Sequence, residues 1–175
     1  MSYIERIKQI IEKIRKHERR LPKMRLSKKG LESLKSHEGL RLFAYDDKQP
    51  RAIITSSAQL IGKLTIGYGH TGKDVYIGQS ISVEKAEELL RKDVEKFEER
   101  VAMEMEGFSI NQNQFDALVL HTYNTGGSET LFKLVREGNK EEIINWWVTT
   151  YIASGGIYMR GLEKRRKDEA KLFYS

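Results

Sequence analysis

The stretch Leu34-Lys-Ser-His-Glu38-Gly-Leu-Arg-Leu-Phe-Ala-Tyr45-Asp-Asp47, followed by Lys63-Leu-Thr65-Ile-Gly67-Tyr-Gly69-His70, decides how the rest of the chain is read. A helix-like run ends in a carboxylate beside a glycine, and a second carboxylate follows nine residues later, after an aromatic. The later segment is short and β-prone, and its glycines permit tight turns or close backbone approach. Two acids carried by different elements and facing a glycine-rich strand are what glycoside hydrolysis requires. One carboxyl stays protonated to donate to the leaving oxygen, and the other stays ionised.

Upstream, Ser27 is placed to N-cap a helix with Leu31 and Leu34 on one face and Gly39 as its C-cap. Glu38 then falls in the last turn, where the helix dipole does not favour a carboxylate. Before this, residues 1–26 read as one amphipathic helix: Ile4, Ile7, Ile11 and Ile14 recur at three and four residues, and Pro22 ends the run. Lys8, Lys13, Arg15, Lys16, Arg19 and Arg20 crowd the remaining face. The isoleucine stripe could lie on the protein's own body, meet a protein partner, or rest on an anionic membrane surface.

Downstream, the chain from Leu42 to His70 is β-prone. Phe43 to Tyr45 begins a strand, residues 51–55 are β-branched, and residues 64–69 alternate with glycine, so a small antiparallel hairpin or meander is expected. Ser82 caps a helix reaching about Glu106, long enough to link two lobes. Asn111-Gln-Asn-Gln114 resembles a capping box opening a helix closed by Gly126-Gly127. Shorter helices are expected over 131–137, 141–150 and 162–173. The fold class is therefore α+β and mainly α. Its parts are an N-terminal helical extension (1–26) and a body (27–175), the latter divided into an N-lobe (27–80), a linking helix (82–106) and a C-lobe (108–175).

Composition sets the outer limits. The 175 residues suffice for one compact domain, and 39% hydrophobic with 32% charged residues describe an ordered soluble protein. No apolar run approaches a membrane span or the core of a signal peptide. The absence of cysteine excludes disulfides and thiolate metal sites. A net charge of +6 and a pI near 9.4 suggest an anionic partner: nucleic acid, lipid or an envelope polymer. No aromatic-basic array supports nucleic acid.

The ordered motifs are Ser27-x-x-Gly30-Leu, Glu38-Gly-x-Arg41-Leu-x-Ala-Tyr45-x-Asp47, Gly62-x-x-Thr65-Ile-Gly67-Tyr-Gly69-His70, Gln114-x-Asp116-Ala-Leu118, Tyr123-Asn124-x-Gly126 and Gly161-Leu162-x-x-Arg165-Arg166-x-x-Glu169. Together they resemble the phage-type lysozymes, the muramidases of phage endolysins, over about residues 26–175. That resemblance implies a bilobal lysozyme-like fold with a small β hairpin and a long inter-lobe helix. It further implies hydrolysis of the β-1,4 bond between N-acetylmuramic acid and N-acetylglucosamine in bacterial peptidoglycan. Glu38 would be the general acid, Asp47 would remain ionised, and Thr65 would position the attacking water. Tyr68, Gln114 and Asn124 are candidate substrate contacts, and His70 a structural residue near the site. No metal or organic cofactor is implied, and a monomer is expected. The protein would wait in the host cytoplasm and act on the cell wall in the periplasm.

Duller readings stand beside these. Asp46-Asp47 could be a turn-capping pair, Thr65 an ordinary strand residue, and His70 a second base or a loop tie. Tyr68 could line a cleft or simply pack, and Arg165 and Arg166 could bind an acidic polymer or be structural. A lytic transglycosylase, using one glutamate, and a silent peptidoglycan-binding or phage structural component are the alternatives. Three departures from the family pattern stand out. Asp47 and Thr65 are eighteen positions apart where the family has six, leaving twelve extra residues between Lys48 and Ile61. Tyr151 stands four residues before the paired glycines, where the family has tryptophan. Residues 1–26 precede the family's usual start and are too charged for an export signal, which implies release through a separate pore.

Overall fold

The computed structural model describes residues 3–18 and 24–175. Helix α1 spans Tyr3–Glu18. Ile4 and Ile7 of the predicted stripe are 65 and 40% exposed, and the neighbouring Ile10 56%, so this first part of the stripe is not laid on the protein's own body. The continuation through Leu21 to Pro22 lies outside the described residues. Met24 to Leu26 are not helical and return to the body: Leu26 is buried, and its N–H donates to Glu98 Oε1 at 2.7 Å.

Helix α2 (Lys28–Glu38) starts as its cap predicts, with Ser27 Oγ accepting from Gly30 N at 3.0 Å. The same serine is held from behind by the buried Asp116, which accepts from both its N–H and its hydroxyl. Gly30 makes that approach possible, because a Cβ there would lie 2.7 Å from Asp116 Cγ. Gly39, at φ +71°, then turns the chain directly into a strand.

Strand β1 (Arg41–Asp46) pairs antiparallel with β2 (Leu64–Gly67), and Tyr45 faces Thr65 across the ladder. The β-branched run 51–55 does not extend this sheet. It forms a turn and an irregular loop ending in a 3-10 turn at Ser57–Gln59. Gln59 Oε1 accepts from Thr55 N, Thr55 Oγ1 and Ser56 N at 2.7, 3.0 and 3.1 Å, so local side-chain bonds displace the ladder.

Helix α3 (Val83–Glu104), capped by Ser82, serves two cores. Its Leu89 joins Ile66 and Val75 in a small cluster under the sheet. Leu90, Val94 and Val101 join the main core with Leu34, Phe115 and Trp147. Helix α4 (Gln112–Thr125) runs through that core, buried from Phe115 to Thr122, and packs on α3 and on the last helix. Helices α5 (Glu129–Glu137) and α6 (Lys140–Thr149) follow. A hairpin that the sequence reading lacked joins β3 (Ala153–Ser154) to β4 (Ile157–Tyr158). Gly155 and Gly156, at φ +57° and +78°, supply its two-residue turn. Helix α7 (Arg160–Phe173) closes a mainly α, α+β fold.

Candidate active site

The adjacent aspartates at the end of β1 have opposite fates. Asp46 is fully buried and accepts from the N–H groups of Lys48, Ile61 and Gly62 at 2.9, 2.6 and 3.0 Å. Gln49 Nε2 adds a fourth donor at 3.1 Å. Burial opposes charge on this carboxyl, but the backbone donors of Gly62, Ile61 and Lys48 outweigh it and hold Asp46 down to about 2. Asp46 is therefore a clasp across the mouth of the long excursion. Asp47 is exposed; its N–H donates to Lys63 O at 3.0 Å and its Oδ1 accepts from Lys63 N at 2.8 Å.

This clasp answers the question raised by the eighteen-residue separation. The excursion leaves and rejoins the ladder in register, so Tyr45 opposes Thr65 and Asp47 sits beside Lys63. Alternate strand residues share a face; Tyr45, Asp47, Thr65 and Lys63 thus lie on one side of the sheet. Thr65 is buried, and its hydroxyl donates to Lys63 O at 3.0 Å. With that proton committed, its oxygen has only lone pairs to offer a third group.

Glu38 reaches the same neighbourhood from the end of α2. Its Oε1 lies 2.7 Å from Arg165 Nη1, off the N–H direction, so this buried oxygen has an ion pair without an aligned hydrogen bond. Arg165 is anchored behind by Glu169, whose Oε1 accepts from Arg165 Nε at 3.3 Å and Arg166 Nη2 at 2.8 Å. The other Glu169 oxygen accepts from Trp147 Nε1 at 3.0 Å and meets His121 Nδ1 at 3.2 Å. Burial penalises the Glu169 charge, yet His121, Arg166 and Trp147 together hold its carboxyl below the usual range. Burial pushes His121 down, against the pull of Glu169.

Tyr45 lies between the two acids in an electrostatic sense. Burial raises its hydroxyl above the ordinary value, Arg41 offsets part of this, and Asp47 and Glu38 both add to the rise. Burial, Glu38 and Asp93 act likewise on Tyr123. Both carboxylates therefore bear on the ring that opposes Thr65.

The remaining candidates divide. His70 is buried, with Nδ1 2.8 Å from Asp93 and Nε2 3.2 Å from Asp74, so it ties its loop to α3. Tyr68 is 6% exposed and packs in the main core, with Lys35 Nζ 5.9 Å over its ring. Gln114 completes the capping box, its Oε1 accepting from Asn111 N at 2.9 Å. Asn124 is exposed, and its Oδ1 accepts from Arg166 Nη2 at 2.8 Å. Sequence reasoning missed Arg165 as the partner of Glu38 and Asp93 as the partner of His70. The Arg165-Arg166-x-x-Glu169 pattern was visible, but its link to Glu38 depends on α7 returning to α2. Tyr151 holds φ +55°, with its ring 5.6 Å from His121 and 6.0 Å from Trp146. Among the described residues no three His, Asp or Glu side chains are grouped to hold a metal, and no helix is long and apolar enough to cross a membrane.

Comparison with known proteins places this arrangement. The chain is 41% identical over 154 residues to an endolysin of Bacillus phage B103, matching 86% of this chain and spanning 54% of that protein's length. It is 34% identical over 160 residues to an endolysin of Acyrthosiphon pisum secondary endosymbiont phage 1, covering 87% of this chain and 99% of that one. Among solved structures, the muramidase domain of SpmX from Asticcacaulis excentricus superposes with a TM-score of 0.71 at 29% identity, covering 86% of this chain and 98% of that domain. The model of the family described as Phage lysozyme matches residues 35–169, a span that includes both carboxylates, the sheet and the Arg165–Glu169 network. On sequence and on fold alike, the chain belongs to the phage lysozyme family.

Proposed function

We propose that the protein is a peptidoglycan muramidase that hydrolyses the β-1,4 bond between N-acetylmuramic acid and N-acetylglucosamine. In this reading, the Glu38 carboxyl donates its proton to the glycosidic oxygen as the bond to the anomeric carbon breaks. Arg165 positions that carboxyl beforehand and stabilises the carboxylate left after donation. A water donates one hydrogen to Asp47, which takes the proton as attack proceeds, and the other to the Thr65 hydroxyl oxygen. Its free lone pair attacks the anomeric carbon from the opposite face, and the configuration inverts.

The observation that carries the reading is the register of β1 and β2. It sets Asp47 and Thr65 on one sheet face despite the long excursion, with Thr65's own proton already given to Lys63 O. Membership of the phage lysozyme family and the likeness to a domain named as a muramidase support the same chemistry. The test is digestion of purified peptidoglycan by wild type, Glu38→Gln and Asp47→Asn, with the released ends identified by mass spectrometry. Reducing muramic ends that disappear in both variants are expected. Anhydro-muramic ends would instead indicate a transglycosylase, and retained binding without release would indicate a recognition module.

A further inference from the structure

The excursion from Lys48 to Ile61 is an ordered part of the molecule. Asp46 grips both of its ends. Gln49 Nε2 crosses it, donating to Asp46 Oδ2 at 3.1 Å and to Gln59 O at 2.5 Å. Arg41 stacks 4.7 Å from the Tyr45 ring and donates from Nη1 to Pro50 O at 3.2 Å. That bond draws the turn at 49–52 back toward the Tyr45 end of β1, beside the Asp47 and Thr65 face.

The charges of this region are unbalanced. Between Gly39 and Gly72 the chain carries four Lys or Arg residues (Arg41, Lys48, Arg51, Lys63) and two acids. One of those acids, Asp46, is buried and saturated by its own hairpin. Lys48, Arg51 and Lys63 are exposed, and among the described residues none has an ion-pair partner. Lys48 is fixed at its root, since its Cγ passes 2.8 Å from where a Cβ on Gly62 would stand. An ordered arm beside a site for an anionic polymer, bearing unpaired cations, is built to hold an anion.

We propose that this arm recognises the carboxylates of the peptide stems on muramic acid, so that the enzyme prefers stem-bearing glycan to bare glycan. The inference rests on the muramidase reading. The stem hangs from the sugar whose anomeric bond is cut, which brings its carboxylates next to Asp47, where Lys48 and Arg51 begin the arm. Phosphodiester polymers of a wall are anionic too, and the test below separates them from the stems.

The test compares wild type with Lys48→Gln/Arg51→Gln on three substrates: intact peptidoglycan, the same wall stripped of stems by an amidase, and the same wall stripped of phosphodiester polymers. Activity gives kcat/KM, and co-sedimentation of both proteins in a Glu38→Gln background gives binding without turnover. An exposed ion pair changes affinity up to about fivefold. The double variant should lose about five- to tenfold on intact wall, keep its activity on stem-free glycan, and lose its deficit at high salt. An equal deficit on stem-free glycan, or none on intact wall, overturns the proposal. A deficit that disappears only on removing the phosphodiester polymer also overturns it, and assigns the arm to phosphate. If wild type releases no reducing muramic ends, the muramidase reading fails, and the sedimentation comparison still decides whether the arm binds stems.

Discussion

Two neighbouring aspartates show how little residue type says about role. Asp46 is enclosed by four donors and closes the hairpin, while Asp47 keeps one oxygen on Lys63 N and turns the other outward. Asp47→Asn should abolish turnover and leave the melting temperature nearly unchanged. Asp46→Asn should do more to stability, because its amide nitrogen would face backbone N–H groups in place of an acceptor; a lower melting temperature is the expected readout. Gly62 is the sharpest test at this scale. A Cβ there would stand 1.9 Å from Asp47 Oδ1 and 2.6 Å from Asp46 Oδ1, so Gly62→Ala must displace a carboxylate. A shift of about 1 Å in a reacting group costs on the order of a hundredfold in rate. Such a loss in kcat/KM, in a variant that still unfolds cooperatively, is expected; full activity would mean that Asp47 has no role in turnover.

Among the elements, α7 does the most to define the site, by carrying Arg165 from the Glu169 cluster to Glu38. Removing the charge at its centre leaves the buried Arg166 without a carboxylate and Arg165 with Glu38 alone. Breaking a buried ion pair from one side costs about 3–5 kcal/mol. Glu169→Gln should therefore lower the unfolding free energy in urea by about that amount and also slow turnover, since Arg165 loses its anchor. An unchanged urea midpoint would show that the cluster is not a stabilising unit. These elements were legible to different degrees. Ser27, Ser82 and Asn111 announced their helices because a cap acts within four residues of its own position. The β-branched run at 51–55 misled, because the Gln59 side chain recruits the backbone there. The two-residue hairpin at Gly155-Gly156 was within reach of its turn chemistry, but its strands are too short for a periodic signal. The bridge from Arg165 to Glu38 could not be read at all, since no local rule says which carboxylate a distant arginine will meet. The two acids were suggested by residue type and placement and singled out, with Thr65, by family spacing; the register of β1 on β2 explains how Thr65 stays beside Asp47.

Over the whole molecule, these clusters make stability depend on pH in one direction. His121 and His37 are both pushed down by burial. Each is therefore neutral in the folded state under conditions where the unfolded chain, titrating near 6.5, takes up a proton. Their contribution to stability is present above about pH 6.5 and is lost as the pH falls. Glu169 and Asp46 are also held low, Asp46 at about 2. Their contribution is present above the unfolded carboxylate range near pH 4 and disappears as the pH falls through the folded values. Lys35 is raised by Glu87 and Glu32, and its contribution is complete anywhere below about pH 10, so it does not oppose the trend at neutral pH. The melting temperature should thus be flat from about pH 7 to 9, decline from about pH 6.5, and fall more steeply below about pH 4.5. Each proton taken up preferentially by the unfolded state steepens that fall by about 1.4 kcal/mol per pH unit. Thermal melts from pH 3 to 9 measure the profile, and His121→Gln should reduce its upper step to the share that His37 contributes, while leaving the lower one. A melting temperature that stays constant from pH 7.5 to 5 would mean that His121 is charged in the fold, and that the Glu169 cluster holds one more positive group than its geometry suggests.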